Sequence, residues 1–291
     1  MNNKYTIVKA YQENSLLRSS FNKLAGETFA LNFEDWYQNG YWKDKYIPYS
    51  IVDEGIVVAN VSANIMDFEI NGTMKRYIQV GTVMTKSSHR NQGLSRCLME
   101  EVLKDYKDNV DGIFLFANDS VLDFYPKFGF RKGTEYQYTK DVDDQNEFCA
   151  VPTPMKNKDD WKLLEQAIKG SVCNSSLDSR FNMELIMFYI TKFMKNNVFF
   201  IESQNAYVIA EINEDQLKIF NVFSPETSDL DQIIKCFGQR IKKVALAFTP
   251  LVKNNYTSTL QTKEDTTLFL LGEDFKDFEE YKMMFPELAY A

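Results

Sequence analysis

The chain has 291 residues, 44% of them hydrophobic and 14% aromatic, enough to bury a sizeable core and to build about two domains. Its formal charge of −8 disfavours a nucleic-acid partner, because a phosphate backbone rewards a basic face, and mildly suits a cationic substrate. No apolar run approaches the roughly 20 residues that cross a bilayer, and residues 1–6 lack the basic and apolar stretches of a secretion signal, so a cytoplasmic protein without membrane contact is expected.

Leu16, Leu17, Phe21, Leu24 and Phe29 recur at spacings near three and four, which predicts one or two helices over 11–29. An aromatic stretch follows, with Phe33, Trp36, Tyr37, Tyr41, Trp42, Tyr46 and Tyr49. Strands are expected over 49–53 and 56–68, and Asn71-Gly72 is a hairpin signal leading into a strand over 74–85. Leu94, Leu98, Val102 and Tyr106 mark the apolar face of a helix over 94–106. A strand over 112–116, a helix over 120–128 and a strand over 130–139 complete a mixed α/β sandwich. The charged, polar run 141–147, with Pro152 and Pro154 just after it, divides the chain into 1–145 and 146–291. The second half predicts helices over 159–170 and 183–194, then strands over 197–202, 206–213 and 216–223. A helix over 229–237 and strands over 243–248 and 266–271 end it, so the element order repeats that of the first half.

The chemistry concentrates where the strand ending at Thr85 runs through a polar turn into the helix at Leu94. Amides at a helix start have no intrahelical acceptor and sit at the positive end of the dipole, so such a turn can cradle a pyrophosphate. Gly93 permits close approach of the main chain and Arg90 adds a fixed positive charge. A glycine at a helix start can equally serve structure alone. A second stretch, Asn118 followed by Phe124-Tyr125-Pro126-Lys127-Phe128-Gly129-Phe130, lies about one helix and one strand downstream.

Together the two stretches resemble the GNAT acetyltransferases, over roughly residues 5–140. Arg90-Asn91-Gln92-Gly93-Leu94-Ser95 is similar to that family's pyrophosphate-binding turn, with Ser95 where glycine or alanine is usual. The resemblance implies an α+β GNAT fold, a mixed central sheet flanked by helices, with 1–145 as the catalytic domain. Residues 146–291 would be a degenerate second GNAT-like domain, because its corresponding turn, Phe223 to Asp229, lacks glycine and carries two carboxylates that would repel a pyrophosphate. Acetyl-CoA is implied as cosubstrate, held by Val83, Met84, Thr85, Arg90, Asn91, Gln92, Gly93, Leu94, Ser95 and Arg96 together with Asn118 and Tyr125. Backbone groups of Val83 and Thr85 would pair with pantetheine and polarise the thioester carbonyl.

Transfer by direct attack of a small-molecule primary amine is the activity implied. Tyr125 is the expected acid toward the departing thiolate, with packing between helix and sheet as its alternative role. Asn118 is expected to bond the pantetheine arm or a water, or else to cap the following helix. Glu34, Asp35 and Asp44 are base candidates, each with a solvated surface role as its alternative, and the carboxylate of Ala291, at the end of an apolar tail able to dock, is another. Trp36, Tyr37, Tyr41 and Trp42 suit either a cage for a cationic acceptor or core packing. His89, the one histidine, precedes Arg90 in the turn and is assigned no proton transfer. Cys97, Cys149, Cys173 and Cys236 form no Cys-x-x-Cys pair, so no metal site or disulfide framework is expected and the thiols read as buried and reduced. A protein or peptide acceptor, or a non-catalytic acyl-CoA-binding module, are the competing readings, and self-association is left open.

Overall fold

A computed structural model describes residues 5–143 and 148–290, so the expected boundary at 145/146 and the carboxylate of Ala291 lie outside the described residues. The first half contributes strands β1 (Thr6–Lys9), β2 (Tyr46–Asp53), β3 (Ile56–Ile70), β4 (Thr73–Thr85), β5 (Gly112–Ala117), β6 (Arg131–Lys132) and β7 (Tyr136–Asp141). The second contributes β8 (Val151–Pro152), β9 (Leu177–Arg180), β10 (Val198–Ile201), β11 (Ala206–Asn213), β12 (Gln216–Phe223), β13 (Lys243–Leu246), β14 (Thr257–Leu260) and β15 (Thr267–Leu271). Helices are α1 (Ser15–Phe29), α2 (Glu34–Gln38), α3 (Leu94–Tyr106), α4 (Lys158–Gly170), α5 (Met183–Phe193) and α6 (Leu230–Lys235).

The strands form two mixed sheets, β1-β2-β3-β4-β5-β15-β6 with β9 beside β3, and β14-β7-β13-β12-β11-β10-β8. Each has an antiparallel meander followed by one parallel pair, β4 with β5 across α3 and β12 with β13 across α6. The α+β architecture with a repeated second unit is therefore the one the sequence predicts. Local signals explain its helices. Asn14 caps α1 by accepting from the amides of Leu16 and Leu17, so the helix starts later than the apolar spacing from Tyr11 suggested. Asn157 and Asp160 form a reciprocal capping box at the start of α4.

Two expectations are corrected. The helix over 120–128 is instead two short 3₁₀ turns, Asp119–Val121 and Tyr125–Phe128. Pro126 has no amide to donate back to Leu122, and Gly129 at φ +89° ends the segment. The strand over 130–139 breaks near Gly133, where strand propensity is lowest, into β6 on the first sheet and β7 on the second. In exchange, β15 from the far end of the chain enters the first sheet between β5 and β6, with Phe269 opposite both Leu115 and Lys132.

Both faces of the first sheet are covered. On one, Leu94, Leu98 and Val102 of α3 pack against Ile78, Val80 and Leu115. On the other, Phe21, Leu24 and Trp36 meet Met66, Phe68, Phe114 and Phe285. The tail segment closes this second face, Phe285 stacking on Phe114 at 4.0 Å and Tyr290 on Phe116 at 3.8 Å.

Leu268, Phe269 and Leu270 are all at most 3% exposed. Each such side chain contributes roughly 1.5–3 kcal/mol by burial, comparable in sum with the whole stability of an ordinary domain, about 5–15 kcal/mol. A fragment ending at residue 143 is accordingly expected not to fold, showing collapsed amide dispersion in ¹H–¹⁵N spectra where the full chain shows native dispersion.

Candidate active site

β4 and β5 pair only from Tyr77–Gly112 to Val80–Leu115. Beyond that point β4 stays with β3 while Phe116 and Ala117 pair with Leu268 and Thr267 of β15, so a wedge opens between the ends of β4 and β5. On the β4 side there is a bulge. Asn60 faces Met84 and Ser62 faces Gly81, leaving Thr82 and Val83 opposite a single residue, with Thr82 at φ +48°. Met84 is buried in the core, so its side chain is not available to a ligand.

The chain then passes through a 3₁₀ turn at Ser87–His89 and reaches Gly93, at φ +76°, as the N-cap of α3. The amides of Asn91, Gln92 and Gly93 meet no acceptor among the described residues, and the first turn of α3 adds the bare amides of Leu94, Ser95 and Arg96. Apart from its own chain neighbours, no atom among the described residues lies within 4 Å of where a Cβ on Gly93 would stand, so the space beside the helix start is open. Arg90 is exposed, reaches back to the Thr85 carbonyl at 3.4 Å, and holds no ion pair among the described residues. Arg96 is turned outward onto Glu100 at 3.0 Å. The Ser95 hydroxyl is tied to Thr85 Oγ1 at 2.6 Å, which draws it away from the amides. Gln92 accepts from the Tyr5 hydroxyl at 2.7 Å, pinning the turn to the start of β1. His89 anchors the same turn, its Nε2 lying 3.1 Å from Asp53 Oδ2 on β2 and its Nδ1 2.9 Å from Ser88.

Tyr125 is buried, sharing an apolar cluster with Leu94 and Leu98 and packing on Phe124, Phe130 and Phe269. Its hydroxyl has no hydrogen-bond partner among the described residues, and burial pushes its pKa up to about 12. Asn118, at the end of β5, is exposed and makes no side-chain cap, so its carboxamide stays available.

The aromatic segment behaves differently. Trp36 and Trp42 are buried and stack on each other at 5.9 Å, Trp36 giving its indole N–H to the Glu184 carbonyl and Trp42 to that of Tyr46. Tyr37 does bind a cation over its ring, but it is the chain's own Arg18, at 3.7 Å. An open four-ring cage is therefore not formed. Glu34 accepts from Arg18, Asn22 and Gln38, and the Arg18 guanidinium holds its carboxyl below the usual range, so it is committed to structure. Asp44 is exposed. Asp35, Trp36 and Tyr41 border a cavity of about 490 Å³ between α2, α4 and α5, where Tyr41 donates to Glu165. Its charge is mixed, Asp35 and Glu165 standing against Lys158, Lys162, Lys192 and Lys195.

The thiols also need one correction, since Cys149 is exposed and only Cys236 is fully buried. Among the described residues no cluster of three His, Cys, Asp or Glu is placed to hold a metal, and no helix is long and apolar enough to cross a membrane.

Sequence reasoning missed Glu135, whose side-chain hydrogen-bond partners come from the far end of the chain. It is buried, accepting from the Phe285 amide at 2.8 Å and the Tyr290 hydroxyl at 3.0 Å, and so fastens the tail beside Phe116. In the second unit the corresponding helix start is already filled. Asp229 accepts from the amides of Asp231 and Gln232 at the N-terminus of α6, so its carboxylate occupies the place an outside anion would take.

Residues 9–133 match the family described as acetyltransferase (GNAT) domain. Among solved structures the chain is similar to a probable N-acyltransferase of Enterococcus faecalis V583, itself a conserved protein of unknown function, with TM-score 0.60 and 13% identity over 91% of this chain and 71% of that one. It is also similar to a GCN5-related N-acetyltransferase from Kribbella flavida, with TM-score 0.56 and 13% identity over 92% and 71% of the two chains. A GCN5-related N-acetyltransferase from Anabaena variabilis ATCC 29413 gives TM-score 0.56 and 15% identity over 91% and 72%. No curated protein matches the sequence. At such identities the structural likeness speaks for the fold alone, and the sequence match to the GNAT acetyltransferase domain is confined to residues 9–133.

Burial raises the Glu135 carboxyl from 4.5 to about 7. The folded chain therefore keeps a proton that the unfolded chain releases over this interval, and the group's contribution to stability is lost as pH rises through it. Glu135→Gln should remove that loss, so the urea midpoint of the variant minus that of the unsubstituted protein grows between about pH 4.5 and pH 7 and then levels off.

Proposed function

We propose that the chain is an acetyl-CoA-dependent N-acetyltransferase that acetylates the primary amine of a small molecule by direct attack in a ternary complex. One observation carries this reading: a bare helix N-terminus at Gly93 follows directly on a strand edge that has lost its parallel partner. The first suits a pyrophosphate, through amides and dipole. The second suits an extended amide-bearing arm that takes the place of the missing strand. The residues present fit acetyl-CoA, since the space beside the helix start at Gly93 is open and the Ser95 hydroxyl is occupied by Thr85.

When bound, acetyl-CoA supplies an activated acyl carbonyl and a thiolate leaving group. The chain's own part is to orient these and to place a proton. Val83 and Thr85 offer backbone groups along the unpartnered edge, and Asn118 offers a free carboxamide across the wedge. With its pKa near 12, Tyr125 stays protonated and donates a hydrogen bond. Full transfer to a thiolate whose conjugate pKa is about 8.5 would be uphill by about 5 kcal/mol, so stabilisation by the O–H rather than complete protonation is its role. Direct attack is supported by Cys97, whose thiol is pushed up by burial and is a poor nucleophile. Residues 146–291 act in this reading as a companion domain without a donor site.

Two variants test the assignment. Tyr125→Phe should lower kcat by about 10–100-fold while the dissociation constant for CoA, measured by calorimetry, changes by less than about three-fold. Gly93→Val should weaken CoA binding by at least about ten-fold, because a β-branched residue resists positive φ and projects into the open space beside the helix start. Thiol release from acetyl-CoA with a panel of primary amines reads the reaction itself. CoA binding without turnover on any amine, together with an inert Tyr125→Phe, would identify a binding module instead.

A further inference from the structure

β3 reads Asn60, Ser62, Asn64 at every second position within an otherwise apolar run, so three polar side chains share one face of its buried stretch, residues 57–64. Asn60 uses all its polar atoms there. Its Oδ1 accepts from Ser50 Oγ at 2.7 Å, and its Nδ2 donates to Ser62 Oγ and to the Thr82 carbonyl, each at 2.9 Å. Ser62 donates in turn to the Tyr46 hydroxyl at 2.9 Å, which donates to Thr82 Oγ1 at 2.7 Å. The bulge residue is thus gripped twice, by carbonyl and by hydroxyl.

Such a network is a costly way to build a core. Buried polar groups stabilise no better than apolar packing even when fully satisfied, and a β-branched residue at φ +48° is strained. From Ser62 to Ile70, β3 pairs with β4 in unbroken register, so the expense is confined to the place where β4 enters the wedge. Its geometric effect follows from the planar trans peptide. The carbonyl of Thr82 and the amide of Val83 belong to one peptide unit and point in opposite directions. Turning the carbonyl inward onto Asn60 turns the Val83 N–H away from β3, toward the side where β5 has departed.

We infer that Asn60, supported by Ser62 and Tyr46, is a positioning residue that aims the Val83 N–H into the wedge as a donor for the acyl carbonyl. The inference rests on the proposed donor site. Preorganised donors of this kind act by being held before charge develops, so a loosened peptide loses turnover without losing the ligand.

The test combines stability, binding and spectroscopy. Asn60→Ala should lower the Tm by about 4–10 °C and kcat by about 10–100-fold, with the CoA dissociation constant within about three-fold because the cradle at Gly93 is separate. Adding Thr82→Gly relieves the positive-φ strain, so Tm should recover by at least half while kcat stays low. In the unsubstituted protein, the Val83 amide resonance should move downfield with acetyl-CoA relative to CoA, and this difference should vanish in Asn60→Ala. Tyr46→Phe, which keeps the ring and removes one hydroxyl, gives a milder version of the same pattern should Asn60→Ala not fold. Recovery of kcat in step with Tm, or a Val83 amide indifferent to the acetyl group, overturns the inference. Failure of the unsubstituted protein to bind CoA at all overturns the donor reading beneath it.

Discussion

The site depends on the parting of two parallel strands. β4 and β5 separate after Val80 and Leu115, and backbone groups released by such a parting must find other partners or face an opening. On the β5 side the partner is β15, brought in from the far end of the chain. On the β4 side it is a bulge, a side-chain network and then a polar turn that hands the chain to α3. A strand edge with unpaired groups ordinarily invites association. Here it leads straight to a helix start with bare amides, and the two features make one continuous polar track.

That arrangement explains why the second half is needed by the first. Phe269 of β15 fills the space under Tyr125, and the tail covers the opposite face through Phe285 and Tyr290. The halves are therefore interlocked by exchanged strands, β15 inward and β7 outward. The duplication of architecture does not extend to chemistry. Where α3 starts with a glycine and no side-chain cap, α6 starts with Asp229 capping its own amides. One carboxylate at an N-cap converts an anion site into a closed helix end.

Charge is used locally rather than globally. The net −8 of the chain neither fills the wedge nor defines an acceptor. Glu34 neutralises the buried Arg18, and Glu287 binds Lys218 and Lys263 while supporting the tail. Glu135 is the exception, a carboxyl that burial keeps partly protonated near neutrality and that latches the tail from within.

By itself the sequence determined the elements whose signals are local. The apolar spacing of α3 and the Gly93 turn are properties of adjacent residues, as is the order of the two motifs, so the fold class and the helix start at Gly93 were legible. So was the carboxylate at the start of α6, since Asp229 acts on its own helix. The tertiary structure alone decided what each side chain is free to do. Nothing near Glu34 announces Arg18 as its partner, nothing in the aromatic segment shows that Trp36 and Trp42 face inward, and nothing at residues 267–271 reveals that this strand belongs to the first sheet. The polar alternation of Asn60 and Ser62 was visible, but its meaning was not. It depends on the Thr82 carbonyl more than twenty positions away in the chain, and pairings at such separation are set by which surfaces close over one another rather than by any local preference.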